Sequence, residues 1–182
     1  DSFSLDRVNK SGARFDPEKT KWYNQQYMHQ KEDAVLAEMY MKVLSEKPIE
    51  IGSKEYVTNV VSLIKERATF VSDFWELSDY FFVAPTEYNE KAVKKQWKEG
   101  TKEIMGDLLE VVDTIKDFSS ENVETKVKSW ISEKELSFGK VMPPLRLVLV
   151  GDMKGPHIFD IMAMIGKTES MDRIKNAIAV LG

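Results

Sequence analysis

The chain has 182 residues, is 42% hydrophobic and 31% charged, and sets 26 Lys and Arg against 30 Asp and Glu. That length buries a core in one domain or two small ones, and no apolar run approaches the roughly 20 residues that a transmembrane helix needs. The absence of cysteine excludes disulfides and thiolate metal sites, and His29 and His157 alone do not make a structural zinc site.

Taken in chain order, Asp16-Pro17 reads as an N-cap followed by proline at the first helical position, opening a helix that runs through Trp22 to about Gln30. A second helix is expected from about Glu32 to Glu46, with Val35, Leu36, Met39 and Val43 inward and a stop before Pro48. A third follows Ser53, with Tyr56, Val60, Leu63 and Ile64 along one face. Aromatic residues then dominate (Phe70, Phe74, Trp75, Tyr80, Phe81, Phe82) until Pro85, where a first module, residues 1–85, is expected to finish.

The pattern restarts in residues 86–182. Ile104, Leu108, Val111, Ile115 and Phe118 step by four and three, the mark of an amphipathic helix. Another follows Ser119-Ser120, with Val123, Val127, Trp130 and Ile131 inward. The closing helix is expected to take Thr168 as N-cap, to carry Glu169 at its positive end, and to bury Ile174, Ile178 and Leu181. Leu145 to Val150 has the β-branched content of a strand, but nothing else in the chain offers it a partner. It is read as helix, and the fold class as all-α, with two consecutive helical-bundle subdomains.

Two separated motifs carry a family resemblance. Gly139 to Lys167 (GKVMPPLRLVLVGDMKGPHIFDIMAMIGK) resembles the last part of bacterial-type glutamyl-tRNA synthetases, where a Leu-Gly-x-Val-x-x-Pro-Leu-Arg run leads into a Pro-Gly-Leu-Phe-like turn. Phe3 to Tyr27 (FSLDRVNKSGARFDPEKTKWYNQQY) is similar to that family's entry into its anticodon-binding half. The resemblance covers essentially the whole chain and implies that Leu145 to Val150 is helical, with Pro143 and Pro144 at or before its first turn. It also implies a cytoplasmic, monomeric piece of a longer polypeptide, consistent with an opening residue Asp1 rather than methionine. Its partners would be the glutamate tRNA anticodon loop and an N-terminal catalytic domain of the same polypeptide, with no membrane and no DNA.

The chemistry of that catalytic domain has no counterpart here. Gly166-Lys167-Thr168 looks like the tail of a phosphate-binding loop, but the glycine needed five positions earlier is Ile161. His157-Ile158 begins a class I synthetase signature that Phe159-Asp160 then breaks, and no Lys-Met-Ser-Lys-Ser-like loop occurs. The chain is therefore expected not to catalyse and to hold no cofactor, ATP and magnesium belonging to the parent's missing catalytic domain.

What remains is recognition of unpaired bases, by stacking on aromatic or guanidinium planes and by hydrogen bonds to base edges. A net charge of −4 weighs against broad phosphate binding but not against a local basic and aromatic patch. Arg67 follows an apolar helix face, so from the pattern alone it is either a snorkelling arginine at the core edge or a base reader. The resemblance places it where an arginine reads the third anticodon base. A fork of donors suits the acceptor edge of cytosine there, whereas guanine presents a donor.

Lys19 and Trp22 share a helical face. By resemblance Lys19 contacts phosphate, while Trp22 either serves the RNA backbone or packs in the core. The tandem prolines before Arg146 point to a fixed, exposed platform, and the family has an anticodon-contacting arginine at this place. Gly155, Pro156 and Ile158 match the family loop that packs against an anticodon base. Gly155 stands where relatives often have a hydroxyl residue and His157 where they have glycine, so His157 either replaces a lost contact or is an exposed loop histidine. Lys128 aligns with an arginine of the family. The alternatives to anticodon recognition are an all-α protein-interaction module built on Met162 and Met164, and the anticodon-binding half of a non-discriminating or paralogous synthetase.

Overall fold

The computed structural model describes residues 17–182, which form ten α-helices and no strand; Asp16 and most of the N-terminal motif lie outside this range. The first four helices are α1 Pro17–Gln30, α2 Asp33–Ser45, α3 Lys54–Ile64 and α4 Phe74–Ser78. Ser53 caps α3 by accepting the Tyr56 backbone N–H at 3.1 Å, as its position before the apolar run predicts. The inward face of α2 is Leu36, Ala37, Tyr40 and Leu44, rotated from the expected one, which leaves Val35 and Met39 at 41% and 40% exposure. The reason is the partner: Tyr40 is drawn inward to meet Phe74 edge-on and to share a 2.8 Å hydrogen bond with the Ser78 hydroxyl. Burial pushes the Tyr40 phenol up to about 12, against the opposing effect of that Ser78 bond, so it stays neutral at every physiological pH.

Six more helices follow: α5 Glu90–Gln96, α6 Thr101–Thr114, α7 Ser120–Glu133, α8 Phe138–Val150, α9 Ile158–Ile165 and α10 Lys167–Leu181. Helix α5 was not foreseen; Asn89 caps it by accepting from the Lys91 and Ala92 N–H groups, a signal legible beside Glu90. Helix α7 buries Val123, Val127, Trp130 and Ile131 as predicted. Leu145 to Val150 is helical, and all of it except Arg146 is buried. A helix closes its own backbone bonds, so a buried β-branched run needs no neighbouring strand.

Two expectations fail here. Helix α8 begins at Phe138, so Pro143 and Pro144 lie inside it rather than at or before its first turn, and Pro144 is buried rather than part of an exposed platform. The carbonyls their missing N–H groups would have bonded belong to Gly139 and Lys140, both exposed to solvent, which keeps the helix tolerable. Nor does Thr168 cap the last helix. Helix α10 starts one residue earlier, after Gly166 at φ 84°, and its Ser170 hydroxyl donates to the Gly166 carbonyl at 2.8 Å. Ile174 is fully buried there, and Ile178 and Leu181 are half-buried.

The methionines of the interaction-module alternative lie on α9; Met162 is fully buried and Met164 packs against the core. No helix of the described residues is long and apolar enough to cross a membrane. Helix α8 ends at Gly151 (φ 80°), whose carbonyl accepts the Asn89 N–H at 2.8 Å. A Cβ there would lie 2.9 Å from both the Glu87 carbonyl oxygen and the Pro85 Cβ. Gly151→Ala is therefore expected to cost more than about 2 kcal/mol in urea unfolding, combining left-handed backbone strain with a backbone clash.

Candidate nucleic-acid interface

Arg67 sits in a single 3-10 turn, Lys65–Arg67, immediately beyond α3, and is exposed. The turn is fixed from both sides. Lys65 pairs with Asp33 of α2 at 2.6 Å, and the Asp73 carboxylate accepts the Thr69 and Phe70 N–H groups at 2.9 Å each. Arg146 projects from α8, half-buried, and its Nη1 donates to the Lys154 carbonyl at 2.9 Å. That bond ties α8 to the loop that follows it, residues 151–157. Lys154 then reaches across to the first half of the chain, donating to the Glu76 carbonyl at 2.6 Å and pairing with Asp79 at 2.9 Å.

Tyr80 lies within electrostatic reach of both arginines. Its side chain is 2% exposed, and its hydroxyl has no hydrogen-bond partner among the described residues. Gly155 passes directly over it at φ 101°; a Cβ on Gly155 would fall 2.8 Å from the hydroxyl oxygen and 3.2 Å from Ile161 Cδ1. A glycine at position 155 thus has a local physical reason, since no side chain fits between this loop and the tyrosine. Burial holds the Tyr80 phenol above its ordinary pKa, while Arg67 and Arg146 both pull it down. Burial in turn lowers the pKa of Arg146; Tyr80 opposes that and Arg67 adds to it. The two guanidinium groups therefore act on one another and on the same tyrosine.

The three described arginines divide sharply. Arg173 is 4% exposed and fully engaged: its Nε pairs with Glu169 at 2.8 Å, and its Nη1 donates to the Tyr80 and Leu149 carbonyls at 2.8 and 2.7 Å. It is a structural bolt joining α10 to the end of α8 and to the Asp79–Phe81 turn. Arg67 and Arg146 have no carboxylate within ion-pairing distance among the described residues. Two neighbouring cations without a protein anion leave charge and donors available to an incoming acceptor.

The remaining candidates fall in three places. Pro156 and Ile158 are buried at the foot of the same loop and the start of α9, so they support its shape rather than project from it. His157 is exposed and lies 4.0 Å from Glu124 of α7, which also pairs with Lys128 one turn on. The Lys128 hydrogen bond lowers the Glu124 pKa, with Lys128 and His157 charge adding to it. Lys128 and His157 are thereby brought together around one carboxylate. Lys19 and Trp22 stand on α1, which packs against the Lys65–Arg67 turn; Trp22 is 54% exposed, so its core reading is overturned. Sequence reasoning missed Tyr80 and Arg173. The Glu169–Arg173 spacing of four was a usable signal for the second, whereas Tyr80 was hidden in an aromatic run.

The decoy at Gly166-Lys167-Thr168 has a plain structural use. Lys167 Nζ donates to the Asp113 carbonyl and, at 3.3 Å, to that of Ile115, neutralising the negative end of α6.

A sequence model of the anticodon binding domain family matches residues 35–178 of this all-α chain, and the chain belongs to that family. Its relatives are glutamate–tRNA ligases. The chain is 55% identical over 179 residues to that of Flavobacterium psychrophilum, a match covering 98% of this chain and 35% of the relative. It is 44% identical over 180 residues to that of Porphyromonas gingivalis, covering 99% and 35% respectively. Among solved structures, a glutamate tRNA ligase from Elizabethkingia meningosepticum in complex with its amino acid superposes with a TM-score of 0.91 at 43% identity, over 99% of this chain and 36% of that one. The chain thus spans about a third of the length of the proteins it resembles.

Proposed function

We propose that this chain is the C-terminal anticodon-binding part of a glutamate–tRNA ligase, holding the anticodon loop of the glutamate tRNA and reading its bases. Attachment of glutamate, with ATP and magnesium, falls to a catalytic part outside these 182 residues, and the chain itself works as a monomer in the cytoplasm without a cofactor. It divides near Pro85 into two consecutive helical subdomains, with Arg67 contributed by the first and Arg146 and the 151–157 loop by the second. The observation that carries this reading is the unpaired state of Arg67 and Arg146 among the described residues, in contrast to the neutralised Arg173.

In this reading Arg67 donates to the third anticodon base, and Arg146 and the loop at Gly155 and Pro156, backed by Ile158, hold the others. Lys19 and Trp22 contact the RNA backbone alongside Arg67. His157 and Lys128 form a weaker outer contact, because Glu124 already pairs with Lys128 and lies beside His157. Binding by such a face is differential: a donor left facing the wrong base is unpaired, costing about 1–3 kcal/mol. Photo-crosslinking with glutamate tRNA carrying 4-thiouridine in the anticodon tests the placement. Labelled peptides from 65–80 and 146–158 are expected. Labels confined to the surface of α6 and the exposed side of α10 would sink the reading.

A further inference from the structure

Tyr80 is the one group of this face whose chemistry is unused. Its backbone is held twice, the N–H by the Asp79 carboxylate at 3.0 Å and the carbonyl by Arg173 at 2.8 Å. Its hydroxyl is buried with no partner among the described residues, a cost that a folded protein does not normally leave standing. Replacing the hydroxyl by hydrogen would remove that cost at once, so its retention calls for a second state in which the bond is made. The atom lies against Gly155 at the top of the loop, with both unpaired arginines acting on it.

Building on the anticodon-binding reading, we propose that Tyr80 is a positioning residue of the RNA-binding face: its ring sets the height of the Gly155 loop, and its hydroxyl gains a hydrogen-bond partner only when RNA reseats that loop. Burial keeps the phenol neutral near pH 7, so it retains both its donor and its acceptor. The free protein then holds an unmade bond whose formation favours the bound state, and that gain is largest for the RNA that seats the loop correctly. This makes Tyr80 a contributor to selectivity without requiring it to touch a base.

The test uses Tyr80→Phe and Arg67→Gln in the 182-residue chain. Thermal unfolding is read without RNA. Fluorescence anisotropy is read with labelled anticodon stem-loops of the glutamate and glutamine tRNAs. Tyr80→Phe is expected to unfold at the same or a higher temperature than wild type, yet to bind the glutamate loop about 5- to 20-fold more weakly, with a smaller preference over the glutamine loop. A merely structural tyrosine would move stability and affinity in the same direction. A lowered unfolding temperature would show that the hydroxyl is already bonded in the free protein and would overturn the proposal. Unchanged affinity in Tyr80→Phe beside a loss in Arg67→Gln would overturn it while leaving the anticodon reading intact. Failure of wild type to bind either loop would overturn both.

Discussion

Arg67→Gln is expected to lower the preference for the glutamate over the glutamine anticodon loop by at least about 10-fold, measured by anisotropy on the two loops. Arginine offers donors only, so it satisfies the acceptor edge of cytosine and leaves guanine's donor facing a donor; a carboxamide carries both and accepts either base. A mismatch of this kind at a desolvated contact is worth about 1–3 kcal/mol. Folding should not change by more than about 0.5 kcal/mol, because Arg67 is exposed and forms no ion pair among the described residues. Unfolding therefore serves as the internal control. A variant that keeps full selectivity would remove Arg67 from base reading and return it to the edge of the core.

Arg173→Met should do the reverse. The substitution keeps an apolar stem but removes the donors that satisfy the Tyr80 and Leu149 carbonyls, and leaves the Glu169 carboxylate without its partner. Glu169 is 41% exposed and can be rescued by water. The two carbonyls meet a buried arginine and have no such recourse. The expected cost is about 3–5 kcal/mol. For a chain of this size that is a fall in unfolding temperature on the order of 10 °C. Differential scanning calorimetry measures it directly, and a change below about 1 kcal/mol would show that the buried guanidinium is replaceable. Because Tyr80 loses its backbone anchor in this variant, RNA affinity should fall as well, unlike the clean separation expected of Tyr80→Phe.

How far the sequence could be read depended on whether the deciding contact was local. Caps and periodicity are local, and Ser53, the bounds of α2 and the inward face of α7 followed from them. The side of α2 that turns inward did not, because Tyr40 is pulled in by Phe74 and Ser78, more than thirty residues away. Pro143 and Pro144 were expected at or before the first turn from the resemblance; the helix instead carries them inside, where solvent reaches the residues, Gly139 and Lys140, whose carbonyls they leave unbonded. In the site, Arg67 and Arg146 came from resemblance to a family; the spacing of Glu169 and Arg173 hinted at one ion pair, but not at the two carbonyls that Arg173 also bonds. Only the fold shows which arginine is neutralised. The same holds for Tyr80 and Gly155, which are 75 positions apart and restrict one another through a single close approach.

The central claim is that this face reads bases rather than merely attracting phosphates. It is tested most directly by anisotropy of the wild-type chain with the glutamate anticodon stem-loop and with the same stem carrying three substituted anticodon bases, at low and at physiological salt. Base reading predicts a preference of at least about 10-fold for the native loop that persists as salt rises, since phosphate contacts weaken equally for both. Equal affinities falling along one common salt slope would contradict it and reduce Arg67, Arg146 and Tyr80 to parts of a basic surface.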